Sequence, residues 1–119
     1  MTQSEHDRRI DYIEFPVADV AVAKQFYGRV FGWTFTDYGP AYTSFVDGRL
    51  SGGFRGGASA EPGGPLVVIY ATDLEAVASS IVAAGGEITQ PIFDFPGGRR
   101  FHFCDPCGHE LAVWSDPRA

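Results

Sequence analysis

The sequence contains the same series of elements twice, and this duplication constrains the fold more than any other feature. A β-rich segment, an aspartate, a helical stretch and a glycine follow one another in each half. Asp19 and Gly32 take these places in the first half, and Asp73 and Gly86 take them at an offset of 54. Several strand-like segments follow each helix. Two copies are too few for a stacked repeat array, so the duplication predicts one domain built from two βαβββ halves.

Both helices are predicted from apolar spacing and from the residues that begin and end them. The stretch VAVAKQFYGRVF has apolar residues at helical intervals, follows Asp19 as N-cap and precedes Gly32 at the C′ position. The stretch LEAVASSIVAAGG follows Asp73 and ends at Gly85 and Gly86. Its apolar face comprises Leu74, Val77, Ile81 and Ala84. Each half is therefore expected to carry one amphipathic helix.

The strands are predicted from short β-rich segments bounded by turn residues. In the first half these are IDYIEFPVA (10–18), WTFTDYG, AYTSFVDG and LSGGF, and in the second they are LVVIYAT, ITQPIFDF, RRFHFC and HELAVW. LVVIYAT reads as a buried strand, and RGGASAEPGGP (55–65) reads as a loop. The ends of the halves match at an offset of 60, which aligns Phe54 with Trp114 and puts about six extra residues around 91–98. The predicted domain is 8–116, with halves 8–57 and 65–116.

The run Cys104-Asp-Pro-Cys107-Gly, flanked by His102 and His109, allows three interpretations. A zinc site needs about four ligands, and the run supplies two cysteines with no second C-x₂-C in the chain. A redox dithiol normally opens a helix, which lowers the thiol pKa. The third interpretation, which we favour, is a hairpin with a type I turn and a G1 bulge at Gly108. A zinc-knuckle interaction module remains an alternative.

The hairpin turn fixes which side chains share a face. Phe103 is predicted opposite Leu111 and Phe101 opposite Val113, on an apolar face that packs under the helices. The other face is polar and aromatic and should line a cavity. With the alternation of the remaining strands, this predicts a cleft lined by Tyr12, Glu14, Phe54, Leu66, Val68, Tyr70, Arg100, His102, Cys104, Glu110, Ala112 and Trp114.

Composition narrows the classes of partner. The chain is 45% hydrophobic, so it can bury a core, and no apolar run spans a bilayer. The net charge is −6 with no basic stripe, which disfavours nucleic acid and would suit a cationic ligand. Two cysteines do not make a secreted disulfide framework, and the first residues carry no secretory signal. A cytoplasmic protein that binds neither nucleic acid nor membrane is expected.

Three segments resemble the vicinal oxygen chelate proteins, which include glyoxalase I, bleomycin-resistance proteins and extradiol dioxygenases. They are FPVADVAVAKQFYGRVFGW, ATDLEAVASSIVAAGGEI and DPCGHELAVW, and the resemblance covers about residues 10–115. His109 stands where the family usually has asparagine. The resemblance implies an α+β fold of tandem βαβββ modules, whose sheets curl around a cleft with the helices outside. Similarity to bleomycin-resistance proteins further implies a homodimer that encloses a small molecule.

In metal-dependent members of this family, ligands come from equivalent strand positions in both halves. By resemblance these positions fall on Tyr12, Leu66 and Ala112 and near Gly52, none of which is His, Asp or Glu. We therefore predict no cofactor and metal-independent binding of a small aromatic or amphipathic molecule. The predicted ligand-binding residues are Tyr12, Glu14, Phe54, Tyr70, Arg100, His102, Glu110 and Trp114.

The alternative is a metal-dependent lyase, isomerase or dioxygenase of the same family. It would use non-standard groups, with His102, Glu110 and Glu14 as the candidate catalytic residues. One histidine and two carboxylates are a workable ligand set for a divalent ion. A histidine beside a carboxylate can also act as a general base without a metal, or the pair can be structural only.

Overall fold

A computed structural model describes residues 3–61 and 63–118. Met1 and Thr2, which belong to the segment predicted to carry no secretory signal, lie outside the described residues, as does Pro62 of the predicted loop. A 3₁₀ turn at Gln3–His6 precedes the duplicated order βαβββ. The first half contains β1 (Tyr12–Pro16), α1 (Val20–Phe31), β2 (Thr34–Asp37), β3 (Tyr42–Val46) and β4 (Ser51–Arg55). The second contains β5 (Val67–Tyr70), α2 (Leu74–Ala83), β6 (Glu87–Phe95), β7 (Gly98–Cys104) and β8 (Glu110–Ser115).

Each half forms its own four-stranded mixed sheet. The first sheet has the order β1-β4-β3-β2 and the second β5-β8-β7-β6. The outer strand pairs β1–β4 and β5–β8 are parallel, and the other neighbours are antiparallel. Neither sheet closes on itself. The α+β fold of two βαβββ modules is therefore confirmed.

Both helices begin and end through local interactions. The Asp19 side chain accepts a hydrogen bond from the backbone N–H of Ala21 at 2.9 Å, and Gly32 ends α1 with φ 72°. The Asp73 side chain accepts from the N–H of Ala76 at 3.0 Å. These contacts satisfy N–H groups that have no partner within the first turn. In the described part of the chain, no helix is long and apolar enough to cross a membrane.

The core lies between the sheets and the helices. The apolar face of the β7–β8 hairpin is fully buried, with Phe101, Phe103, Leu111 and Val113 all 0% exposed. Phe26 of α1 packs on Phe103 with ring centroids 6.1 Å apart, so the first helix reaches the second sheet. Truncation of such a ring to alanine typically costs about 3–5 kcal/mol. The two halves therefore share one core.

The structure corrects the prediction that LVVIYAT is a buried strand. β5 is an edge strand that pairs only with β8 among the described strands. Ile69 and Val67 pack toward the core, but Val68 and Tyr70 are 44% and 47% exposed. A continuous apolar run usually indicates burial on both faces. Here the second face is exposed, on the side of the sheet away from the core.

The extra residues of the second half lengthen the β6–β7 hairpin. These strands have nine and seven residues, whereas β2 and β3 have four and five. The β6–β7 register shifts between Ile88 and Gln90 and again between Gln90 and Phe93, around Pro91. Proline has no N–H for the ladder, so an irregular edge strand accommodates it. The longer hairpin adds two phenylalanines, Phe93 and Phe95, to the second sheet.

Candidate functional site

The Cys104–His109 segment is the hairpin turn that the sequence predicted. The N–H of Gly108 donates to the Asp105 carbonyl at 3.0 Å, and the N–H of Asp105 donates to the His109 carbonyl at 2.8 Å. Gly108 has φ 93°, as a G1 bulge requires. The predicted register is also confirmed, from Cys104 opposite Glu110 to Arg100 opposite Trp114. The hairpin thus presents its polar and aromatic side chains on one face.

The pKa of each thiol in this turn is raised, which disfavours the thiolate. Burial and the nearby Asp105 carboxylate raise the pKa of Cys104, and the same two causes raise the pKa of Cys107 to about 11. A redox or zinc-binding thiol instead needs a lowered pKa. Across residues 3–61 and 63–118, no three side chains of the His, Cys, Asp and Glu types group together as a metal site. The geometry favours a structural role for the turn.

The face of the second sheet away from the core carries aromatic side chains from β5, β6 and β8, with Arg100 of β7 between them. Cross-strand pairing places Phe93, Arg100, Trp114 and Tyr70 side by side on β6, β7, β8 and β5. The Tyr70 and Trp114 rings meet edge to face at 5.1 Å, and Phe95 lies 6.5 Å from Trp114. We call the group Tyr70, Phe93, Phe95, Arg100, His102 and Trp114 the aromatic face.

Arg100 lies on the aromatic rings of its own sheet. Its guanidinium carbon is 5.4 Å from the centroid of Phe93 and 5.6 Å from that of Phe95, within cation–π range. Its Nε is buried and has no hydrogen-bond partner in the described part of the protein. The rings orient the guanidinium but accept no conventional hydrogen bond from its N–H groups.

His102 is the most deeply buried polar side chain of the aromatic face. Its side chain is 9% exposed, and its Nδ1 lies 3.3 Å from Oε2 of Glu110. The same carboxylate oxygen accepts from the Thr89 hydroxyl at 3.2 Å. The other ring nitrogen, Nε2, is buried without a partner among the described residues. A carboxylate on one nitrogen fixes the tautomer and leaves the other available.

The concave face of the first sheet carries a chain of hydrogen bonds instead. Tyr12 and Tyr42 share a bond between their hydroxyl groups, and the Tyr42 hydroxyl donates to Glu14 Oε1 at 2.9 Å. Arg55 Nε donates to Glu14 Oε2 at 3.3 Å. Burial and the hydrogen bonds to Tyr12 and Glu14 raise the pKa of Tyr42, so its hydroxyl stays protonated. We call Tyr12, Glu14, Tyr42 and Arg55 the tyrosine face.

One predicted position is wrong: Phe54 was expected in the cleft, but it is 1% exposed in the core against Phe15 and Phe45. The counterpart of Ala112 was expected near Gly52, and Gly52 itself faces the core, because a Cβ there would meet the Phe45 ring. Gly53 has the concave position instead, opposite Glu14. The parallel pairing of β1 with β4 determines the face on which each residue of β4 lies. It gives Gly53 the position that corresponds to Ala112, one residue away from the match that the offset of 60 predicts.

The structure brings together some of the candidate residues and separates others. Tyr70, Arg100, His102, Glu110 and Trp114 share one concave surface, whereas Tyr12 and Glu14 lie on the other sheet. Within this chain, Glu14 therefore does not join the His102–Glu110 pair, because Tyr42 and Arg55 bind its carboxylate. Of the positions equivalent to family metal ligands, Leu66, Ala112 and Gly53 offer no donor atom, and Tyr12 bonds to Tyr42.

Sequence reasoning missed four members of these surfaces, Tyr42, Arg55, Phe93 and Phe95. Alternation within AYTSFV could have found Tyr42, because Tyr42 and Ser44 alternate with the buried Thr43 and Phe45. Phe93 and Phe95 follow register shifts in β6. A shift of one residue reverses the face of every later side chain, so their side could not be assigned from local spacing.

Comparison with known proteins gives a consistent family. The model of the glyoxalase/bleomycin resistance protein/dioxygenase superfamily matches residues 9–113. The anthracycline biosynthesis protein DnrV of Streptomyces peucetius is 35% identical over 117 residues, which cover 81% of this chain and 42% of that protein. The putative glyoxylase CFP32 of Mycobacterium tuberculosis is 27% identical over 122 residues, covering 91% of this chain and 46% of that protein. The chain thus spans about half the length of these relatives.

The fold also matches solved structures. A glyoxalase/bleomycin resistance protein/dioxygenase family enzyme from Burkholderia phytofirmans superimposes with a TM-score of 0.81 at 14% identity. The match covers 90% of this chain and 99% of that one. Identity this low shows the shared fold and leaves the chemistry to the side chains of each protein.

Proposed function

Because the chain belongs to the glyoxalase/bleomycin resistance protein/dioxygenase superfamily, we propose that it binds a small aromatic or amphipathic molecule without a metal ion. The observation that carries this proposal is the aromatic face. Aromatic rings from β5, β6 and β8 lie on the face of the second sheet away from the core, beside Arg100 and His102 of β7. Small-molecule sites combine apolar walls with a few placed polar groups.

The donor atoms of this chain support the metal-free part of the proposal. Three of the four positions that hold ligands in metal-dependent relatives have side chains without any donor, and the Tyr12 hydroxyl already bonds to Tyr42. Aliphatic side chains and glycine cannot coordinate a cation. Stacking and hydrogen bonding would then provide the affinity.

We propose that a second copy of the chain completes the cleft. Each sheet is open, and the edge strand β5 leaves Val68 and Tyr70 about half exposed on its concave side. The relatives DnrV and CFP32 are about twice as long, so a homodimer would supply the missing length. Light scattering during gel filtration should then give twice the 12.9 kDa of one chain. A monomer that binds ligand would show that one copy suffices.

Tryptophan fluorescence tests binding directly. The chain has two tryptophans, and Trp33 stacks on Tyr27 and Phe45 away from the aromatic face. In a Trp33→Phe variant, Trp114 is the only source of tryptophan fluorescence. A planar aromatic ligand should quench this fluorescence at micromolar concentration. EDTA should leave the titration unchanged. A flat titration with a diverse aromatic library, or binding lost on chelation and restored by a metal, would contradict the proposal.

The His102–Glu110 pair favours a second candidate, a metal-dependent lyase, isomerase or dioxygenase of the same family. Its unpartnered Nε2 can hold a cation or move a proton. Within one chain, Glu14 lies on the first sheet and does not join this pair, so a further carboxylate would have to come from elsewhere. Metal analysis of protein purified without a polyhistidine tag, followed by thermal shift with Ni²⁺, Mn²⁺ and Zn²⁺, separates the candidates. Stoichiometric metal or a large shift would favour the enzyme.

A further inference from the structure

We propose that the ligand of the aromatic face is an anion: a fused-ring aromatic molecule whose carboxylate binds Arg100. This inference rests on the proposed function and names the class of molecule. It starts from the guanidinium of Arg100, which lies within a surface of rings and pairs with no carboxylate of the described chain.

Arg100 differs from the other arginines of the chain in this respect. Four arginines pair with a carboxylate: Arg8 with Asp7, Arg55 with Glu14, and Arg99 and Arg118 with Glu75. Those that have no such partner in the described chain, Arg9, Arg29 and Arg49, are exposed to solvent. Arg100 is half-buried without a carboxylate partner among the described residues, and its Nε, like that of Arg99, is buried and unpartnered. Burial of a charged donor without a partner is unfavourable, so the site is incomplete as the chain alone forms it.

Two carboxylates that contact residues of the aromatic face have partners other than Arg100. Glu110 accepts from Thr89 and lies beside His102, at the far end of β7 from Arg100. Asp116 accepts from the Tyr70 hydroxyl. Because Nε is buried, a ligand oxygen pair would have to bind the Nη edge of the guanidinium. Guanidinium binds a carboxylate through two parallel N–H donors, a geometry that a planar ligand in the cleft can meet.

The dimensions of the row suit a flat ligand. Arg100, Trp114 and Tyr70 lie on three adjacent strands spaced about 4.8 Å apart, so the row extends about 10 Å from the guanidinium to the tyrosine ring. Two or three fused rings cover that length. His102 lies two residues further along β7, and because its Nδ1 donates to Glu110, its Nε2 would accept a hydrogen bond from a hydroxyl group of the ligand.

Direct contact with Arg100 favours an anion, although the net charge of −6 would favour a cationic ligand. Exposed charges are screened beyond about 8 Å at physiological ionic strength. Arg100 would contact the ligand directly, whereas most acidic side chains of the chain lie outside this surface. The overall charge therefore slows the approach of an anion without preventing its binding.

A pair of ligands that differ only in charge tests the inference. Anthracene-2-carboxylate and anthracene-2-carboxamide have the same rings and nearly the same size. In the Trp33→Phe background, the carboxylate should bind at least tenfold more tightly than the carboxamide. Arg100→Met should weaken the carboxylate at least tenfold and change the carboxamide less than twofold. Arg49→Met removes the same charge from an exposed loop and should preserve the preference.

The outcomes separate this inference from the function on which it rests. Equal affinity of both ligands for the parent protein would overturn the anion and leave the proposed binding function intact. Failure of both ligands to bind would count against the proposed function. If Arg100→Met does not fold, the comparison of the two ligands on the parent protein still decides. Arg100→Lys keeps the charge without the planar fork, and it should retain part of the preference.

Discussion

The Tyr27 hydroxyl donates a hydrogen bond of 2.7 Å to Oδ2 of Asp105, and both residues are buried. Tyr27 belongs to the helix of the first half, and Asp105 begins the last hairpin turn of the second. The other carboxylate oxygen of Asp105 accepts from the N–H groups of Cys107 and His109. One side chain therefore shapes the turn and joins the two halves. Burial and Asp105 together raise the pKa of Tyr27, which keeps the donor protonated.

Tyr27→Phe should destabilise the protein without changing the fold. The substitution removes a buried donor to a charged acceptor, which typically lowers the free energy of unfolding by about 1–3 kcal/mol. Urea denaturation followed by circular dichroism measures the change. Tyr38→Phe is the matched control, because Tyr38 is 66% exposed and should shift the midpoint little. An unchanged midpoint for Tyr27→Phe would mean that the bond does not hold the halves together.

Features set by neighbouring residues were predictable from the sequence. Asp19 and Gly32 begin and end α1 as expected, and the hairpin at Asp105 has the predicted turn and register. Each depends on a few adjacent residues whose conformational preferences are strong. The duplication then fixed the order of the elements.

Features set by pairing between distant strands were not predictable. Strand alternation predicts Phe54 in the cleft, but the β1–β4 register turns it into the core. The register is set by the packing of the whole sheet and not by the count of residues. The lack of a partner for Arg100 depends equally on where each acidic side chain lies in space, which local spacing does not reveal.

Gly52→Ala should destabilise the protein strongly, because it tests the corrected face of β4. An added Cβ would overlap the Ile13 carbonyl oxygen and the Phe45 ring. Overpacking of a core typically costs about 1–3 kcal/mol, and a clash with backbone should lie at the upper end. Gly64→Ala is the control, since a Cβ there meets nothing within 4 Å. If thermal unfolding of both variants matched that of the wild type, Gly52 would not face the core.

Cys107 should react slowly with iodoacetamide at neutral pH. Burial and Asp105 raise its pKa to about 11, whereas an unperturbed thiol has a pKa of about 8.5. In a Cys104→Ser background, the logarithm of the alkylation rate should therefore rise steadily from pH 7 to 10. A short cysteine peptide treated in parallel should approach its plateau in that range. A plateau of the protein rate near pH 8.5 would show that the thiol is not shielded.

The pair formed by Glu75 and Arg99 should make stability depend on pH in acid. Hydrogen bonds from Arg99 are the main cause that lowers the pKa of Glu75 from 4.5 to about 2. The folded state therefore favours the ionised carboxylate, and this contribution is fully present above about pH 4.5 and is lost as the pH falls toward 2. Glu75→Gln should lower Tm at pH 7, and the difference from the wild type should close between pH 4.5 and 2. Glu61→Gln, in the loop before β5, should match the wild type throughout. A difference in Tm that stays constant down to pH 2 would show that ionisation of Glu75 is not what stabilises the fold, and that the side chain acts through packing alone.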